Sequence, residues 1–396
     1  MLTKYIGRTL EERAFAALLA TIFAITFSIA LGQLLAGLCL AFFLLGFFRK
    51  QIVWRTPPGS SLAVAFIILA VILSASYGDG AGLWRRVGRL GWFILIPVTA
   101  SLVAVPGRDR KVIAAFLAGA AVLGVKDLVL YPILARLKPL PDYLTALIDK
   151  GSMTDGQMLM LGVVGTTLVL VMTMNERRSI PWWGWVLLLA QVAGLLINFK
   201  RGSWFCAMIL IGIMVVMQFR WRVWLVMMLG LAFFFLLPPV QTRMVQLKRE
   251  FNVEGGGRLT MWFKIAPALI QEYPAGLGFS CLTNDQMRRV FKRVEPNRNH
   301  LHANWAQVLV ETGWAGLVLY LLWMAKMLVN NLAWVRRVRR APVEERWAAW
   351  VASVMLVGLL LNGLVEYNFG DTELMFIYAF LMGLTGACNG KSEPVK

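Results

Sequence analysis

Apolar residues in this chain neither alternate with polar ones nor keep to a single helical face; they come in unbroken runs. Ala14 to Phe48 carries no charged residue, and uncharged runs recur at Thr56–Gly78, Gly156–Asn175, Ser179–Phe199, Gly202–Phe219 and Val223–Thr242. Each approaches or exceeds the roughly 20 residues that cross a bilayer core as a helix. Backbone in lipid must satisfy its own hydrogen bonds, which leaves helices or closed barrels, and barrel strands alternate polar with apolar residues. The pattern predicts an all-α integral membrane protein with spans near 14–31, 33–48, 62–77, 90–105, 112–130, 157–174, 182–199, 203–219, 222–238, 305–329, 348–366 and 373–389, twelve in all.

The first pair is the span assignment with an alternative, one long tilted helix or a hairpin broken at Gly32 and Gln33. Charge favours the hairpin, because two spans put Lys4, Arg8 and Arg13 on the same cytoplasmic side as Arg49, Lys50 and Arg55. Both termini are then cytoplasmic, and the chain divides into spans over 1–238, a large periplasmic loop over 239–304, and spans with a cytoplasmic tail over 305–396.

Composition agrees and adds a charge. With 59% hydrophobic and 15% charged residues, the chain has too little polar surface for soluble domains. Forty Lys and Arg against 21 Asp and Glu leave a formal charge of +19. The positive-inside rule accounts for the cytoplasmic clusters, yet Arg85, Arg86, Arg89, Arg136, Lys138, Lys150, Lys200 and Arg201 fall in short outer loops, and more basic residues lie in 239–304. Insertion does not need these. Their location points to membrane lipid and a bound anion as partners, and away from nucleic acid. Cys39, Cys206, Cys281 and Cys388 have neither the spacing of a zinc site nor that of a disulfide framework.

The large loop is the one extramembrane segment able to carry a structured site. Gly255, Gly256 and Gly257 lead into Arg258. Leu259, Trp262, Phe263, Ala266, Leu269 and Ile270 then recur at helical spacing, with Pro267 placed to kink the helix. Pro274, Gly276 and Gly278 break the chain, Asp285 is placed to cap a short helix, and Arg288, Arg289, Lys292 and Arg293 fall on one face of it.

The two histidines, His300 and His302, lie where this loop returns to the membrane, beside Arg298. They are the groups whose ordinary pKa, about 6.5, suits proton transfer near neutrality. Glu311 is nine residues beyond His302, on the opposite face of any continuous helix, so the two meet only if the helix begins after His302. Arg201, with Lys200 before it and Gly202 after it, sits in a tight turn at the outer interface, where a lipid-linked phosphate would lie. Arg258 at a helix start would add its charge to free backbone N–H groups.

Taken in order, F-K-R-G-S-W at 199–204, G-G-R-L-T-M-W at 256–262, P-A-G-L-G at 274–278, H-L-H-A-N-W-A-Q at 300–307 and E-T-G at 311–313 resemble the O-antigen ligase superfamily. That group comprises O-antigen ligases, O-antigen polymerases and protein O-oligosaccharyltransferases. The resemblance covers mainly 195–325. It implies a transferase that takes a glycan from undecaprenyl diphosphate to the lipid A-core oligosaccharide at the periplasmic face of the inner membrane. It also implies no metal, no cofactor, and inversion at the anomeric carbon. It matches Arg201 and Arg258 to the family's diphosphate-contacting arginines and His302 to its histidine, with His300, Arg298, Lys200 and Glu311 in supporting places. The family's Asn directly after that histidine is Ala303 here, with Asn304 one place later.

The residues support the same chemistry. Guanidinium groups would spread the charge of a departing diphosphate, and one imidazole would take the proton of a sugar hydroxyl. Paired carboxylates of the glycoside-hydrolase kind are not evident, because Glu254, Asp285 and Glu295 are scattered. Polymerase and ligase differ only in acceptor, which the motifs do not name. A transporter for an anionic solute is the alternative of another class. It would want related halves with broken helices, and charged residues within the spans are few, at Lys126, Asp127 and Lys326.

Overall fold

Helices form where the uncharged runs lie, and short polar or Gly/Pro segments end them. The computed structural model describes residues 9–77, 80–136, 142–198, 200–218, 236, 241, 257–294 and 299–389. The first helices are α1 (Leu10–Ile25), α2 (Ile29–Phe48), α3 (Ser60–Tyr77), α4 (Gly80–Leu90) and, after a 3₁₀ turn at Gly91–Ile94, α5 (Leu95–Leu102). Then come α6 (Arg108–Arg136), α7 (Asp142–Asn175), α8 (Trp182–Ile197) and α9 (Arg201–Gln218). Between the last spans lie α10 (Arg258–Thr260), a π turn (Met261–Ile265), α11 (Ala266–Glu272) and α12 (Asn284–Val290). The chain closes with α13 (Asn304–Val338), α14 (Val343–Gly363) and α15 (Thr372–Asn389).

All regular elements among the described residues are helical. Among the described residues, six helical stretches are long and apolar enough to cross a membrane: Ile29–Phe48, Ser60–Tyr77, Arg108–Leu130, Met153–Asn175, Asn304–Val338 and Val343–Gly363. Trp182–Ile197, Arg201–Met214 and Thr372–Thr385 are shorter apolar helices. The expected span at 222–238 lies, but for Leu236, outside the described residues.

Two boundaries differ from expectation for identifiable reasons. The stretch 14–48 is two helices, but they part at Thr26–Ser28 and not at Gly32 and Gln33. Hydroxyls supply the break: Thr26 Oγ1 donates to the Phe23 carbonyl at 2.7 Å, and Ser28 Oγ accepts from Leu31 N. Gly32 lies inside α2, where a Cβ would stand 2.6 Å from Ile25 Cδ1. It lets the antiparallel pair approach closely, as small residues do in membranes.

The fourth expected span, 90–105, is instead a helical run from Gly80 to Leu102. Arg85, Arg86 and Arg89, expected in a loop, therefore sit on α4. Leu83, Val87 and Leu90 form an apolar stripe that supports a helix there in spite of Gly88.

Ion pairs mark one end of the bundle. Arg108 Nη1 meets Glu11 Oε1 at 2.5 Å, Arg346 meets Glu176 at 2.8 Å, Arg178 meets Glu344, and Arg110 donates to the Glu344 carbonyl at 2.9 Å. These join the starts of α1, α6 and α14 to the end of α7. The sequence motifs gather at the opposite end, where α10, α11, α12 and the segment 299–303 form a small cap. Its core is Met261, Ile265, Leu269, Met287, Leu301 and Val310.

The cap helix deviates from the expected stripe. Met261, Ile265, Ala266 and Leu269 face inward, Phe263 is exposed, and Pro267 stands in the first turn of α11 directly after the π turn. Proline lacks an N–H and crowds the carbonyl four residues earlier, so the wider π turn accommodates it. The cap of α12 is Thr283, not Asp285: Thr283 and Gln286 form a reciprocal capping box, and Asp285 lies in the first turn.

Candidate active site

The site is built around the connector that follows α14. Glu366 was expected at the tip of a span; the helix ends at Gly363, and 364–371 is irregular. Four contacts hold that irregular backbone. Asn304, the first residue of α13, accepts from Asn368 N at 2.8 Å and Phe369 N at 3.0 Å through Oδ1, and donates to Asn368 Oδ1 at 2.7 Å and Tyr320 Oη at 3.2 Å. Phe369 is fully buried among Phe66, Phe93, Tyr320, Trp323 and Tyr378, with ring centroids 4.9–5.8 Å away. Arg89 of α4 donates to the Gly370 carbonyl at 3.4 Å, and Thr154 of α7 donates to Asp371 Oδ2 at 3.4 Å.

Asn304→Ala is expected to leave the two buried N–H groups unpaired, at about 1–3 kcal/mol each. The measurement is thermal unfolding in detergent micelles, where the variant should melt below the native protein.

Glu366, thus positioned and buried, faces a guanidinium and an imidazole from the loop. Arg258 donates through Nη2 to Glu366 Oε1 and through Nη1 to the Val365 carbonyl, while His302 Nδ1 lies 3.3 Å from Glu366 Oε2. A Cβ on Gly202 would stand 3.4 Å from Glu366 Cγ and 3.5 Å from Asn362 Nδ2, so the turn carrying Lys200 and Arg201 lies directly against the same residue. Burial by itself would raise this carboxyl. The His302 hydrogen bond and the Arg258 charge outweigh it and hold the group below the usual carboxylate range.

Asp371, five residues on, shows what happens without such partners. Burial and then Glu373 push it up to about 7 against the Thr154 hydroxyl and the more distant Arg89. Glu366 is the connector carboxylate whose charge its partners favour.

Residues 186–321 match the family model described as O-antigen ligase. Over that third of its length the chain is similar to the O-antigen ligase family. No curated protein matches the chain. Members of the family are glycosyltransferase-like enzymes. The ligase-family region runs from α8 through the cap into the first half of α13, so it contains Arg201, Arg258 and His302, whereas Glu366 lies beyond it.

Within the ligase-family region, His302 has φ of 52°, a left-handed conformation that costs a non-glycine residue about 1–3 kcal/mol. Its neighbours hold it there. Leu301 is buried, its N–H donates to Gln307 Oε1 at 2.8 Å, and its carbonyl accepts from Trp262 Nε1 at 2.8 Å; Ala303, in extended backbone, then precedes the first turn of α13. The helix does begin after His302, as a meeting with Glu311 requires, yet the carboxylate at the imidazole is Glu366. Glu311 is buried and accepts from Gln307 Nε2 at 2.7 Å. His300 packs its ring 4.3 Å from that of His302 and stacks toward Tyr367, with Nδ1 3.3 Å from Asn299 Oδ1. Arg298 lies outside the described residues.

The motifs E-T-G and P-A-G-L-G form one structural joint. Gly313 has φ 65° and ψ −172° inside α13, a region open to glycine, and the break frees carbonyls that a continuous helix would use. Leu277 N donates to the Val310 carbonyl at 3.0 Å and Gly278 N to the Glu311 carbonyl at 2.8 Å. Phe279 N, just beyond, donates to Ser74 Oγ of α3 at 2.8 Å, which ties the cap to the bundle.

Sequence reasoning missed Glu366 and gave Asn304 and Arg89 no role. The signal available was E-Y-N-F-G-D at 366–371, a polar and aromatic run between two apolar stretches at the same end as the histidines.

Proposed function

We propose that this protein is a lipid-diphosphate-dependent glycosyltransferase of the O-antigen ligase type, acting at the periplasmic face of the inner membrane. It moves a glycan from undecaprenyl diphosphate to the lipid A-core oligosaccharide, with inversion and without a metal. The observation that carries this reading is the convergence of Arg258 and His302 on one buried carboxylate, with the Arg201 turn against it.

An ionised carboxylate only accepts hydrogen bonds, so His302 Nδ1 carries the proton facing Glu366 and Nε2 of the neutral ring carries the lone pair. The acceptor hydroxyl oxygen attacks the anomeric carbon and Nε2 takes its proton. The bond from that carbon to the phosphate oxygen breaks, and the electron pair leaves with undecaprenyl diphosphate. Arg258 and Arg201 stabilise the charge that collects there, and their planar forks match phosphate oxygens.

The test is transfer by the purified protein between a polyprenyl diphosphate-linked glycan and core lipopolysaccharide. Product on the core supports the ligase reading. Chain extension of the donor alone moves the assignment to a polymerase, glycan on a protein acceptor to an oligosaccharyltransferase, and solute uptake into liposomes without transfer to a transporter.

The sidedness has its own check. Helices that alternate between the ion-pair end and the site end support cytoplasmic termini and a periplasmic cap. With Cys281 replaced by Ser, Asp285→Cys should react with an impermeant thiol reagent applied from the periplasm and Arg340→Cys should not. Labelling of both, or of Arg340→Cys alone, overturns the topology.

A further inference from the structure

We propose that Glu366 occupies the place of substrate phosphate: it holds Arg258 until the donor diphosphate arrives, and the exchange of partners leaves the carboxylate to His302 alone. The inference rests on the transfer reaction proposed above and adds a positioning residue that couples donor binding to the state of the base.

Three features on the molecule carry it. First, the carboxylate is shared, with Oε1 on the Arg258 guanidinium and Oε2 on the His302 ring, so one negative charge faces both partners. Secondly, Arg258 presents two nitrogens to oxygen acceptors, the Val365 carbonyl and Glu366. That is the arrangement in which a guanidinium receives a phosphate edge, so an incoming diphosphate competes for the same fork. Thirdly, Glu366 does not move freely. Asn304, Phe369 and Arg89 fix the connector on its C-terminal side, so a carboxylate released by Arg258 stays at the imidazole.

Electrostatics then sets the direction. In a buried site a carboxylate between a guanidinium and an imidazole N–H divides its field between them. When the diphosphate takes over Arg258, the hydrogen bond from Nδ1–H strengthens and the lone pair on Nε2 becomes a better proton acceptor. The base is improved when a donor is bound.

The coupling makes Glu366 a competitor of the donor and a helper of the transfer, two roles that a structural residue would not combine. Glu366→Gln keeps the shape and removes the charge. Binding of inorganic pyrophosphate and of undecaprenyl diphosphate to the detergent-solubilised variant should tighten by about tenfold or more, the size of a charged hydrogen bond no longer competing. Transfer at saturating donor should fall about 10–100-fold, the usual cost of losing the partner that orients a histidine.

Glu366→Asp, which retains charge but reaches one partner at most, should show intermediate affinity and reduced transfer, and it serves if the Gln variant does not fold. Weaker pyrophosphate binding in a folded Gln or Asp variant, or transfer equal to that of the native protein, overturns the inference while leaving the transferase reading intact. A native protein that binds neither pyrophosphate nor carrier overturns both.

Discussion

His302→Ala is expected to abolish glycan transfer to the core acceptor while carrier binding stays near that of the native protein, because the guanidinium groups and not the imidazole hold the diphosphate. Removing a general base costs about 10²–10⁴-fold. His300→Ala should fall far less, since its ring packs beside that of His302 and its Nδ1 faces Asn299. The pH profile of the native protein adds a second reading. Nε2 must be unprotonated to act, so transfer should decline on the acid side. Glu366 is held below the usual carboxylate range by His302 and Arg258, so it stays ionised until the pH falls below that range. Full activity in His302→Ala with a dead His300→Ala would transfer the role to the neighbouring ring; activity in both would remove histidine from the mechanism.

Arg258→Ala should lower transfer by ~10²-fold or more, the scale for losing a donor aimed at developing charge. Lys in its place should restore part of that, because a point charge cannot reproduce a two-nitrogen fork. The substitution has a second consequence that needs separating from the first. It strips Glu366 of its guanidinium inside the protein, and breaking a buried pair from one side costs about 3–5 kcal/mol.

The sign of the linkage is fixed by the lowered carboxyl. Its contribution to stability is present above the ordinary carboxylate range and is lost as pH falls through the lower native value. Arg258→Ala should therefore be less stable than the native protein near neutrality. The double variant Arg258→Ala/Glu366→Gln should regain stability without regaining transfer. Recovery of transfer in the double variant would mean that Arg258 acts only by neutralising Glu366.

How far the sequence could be read differs between helices and contacts. Among the described residues, six of the twelve expected spans fall on helices long and apolar enough to cross a membrane, because hydropathy is a property of contiguous residues, and the run 14–48 was correctly divisible into two. The point of division was not, since Gly32 reads as a breaker in isolation and becomes a packing position once Ile25 lies across from it. Arg85, Arg86 and Arg89 read as loop residues because three arginines outweigh Leu83, Val87 and Leu90 in any average over the segment. Packing on the bundle keeps that segment helical, and from there Arg89 reaches Gly370.

By itself the sequence determined that this is a helical membrane protein. It also placed Arg201, Arg258 and His302 in motifs that resemble those of the O-antigen ligase family. Those are statements about composition and spacing along the chain. Only the tertiary structure decided which carboxylate meets the histidine. Glu311, near in sequence, is engaged by Gln307, whereas Glu366, 64 positions from His302, reaches it because α14 ends early and Asn304 and Phe369 pull the connector into the core. A contact of that range leaves no local pattern. It exists because buried N–H groups and an aromatic ring find their partners only when α13, α14 and α15 are packed together.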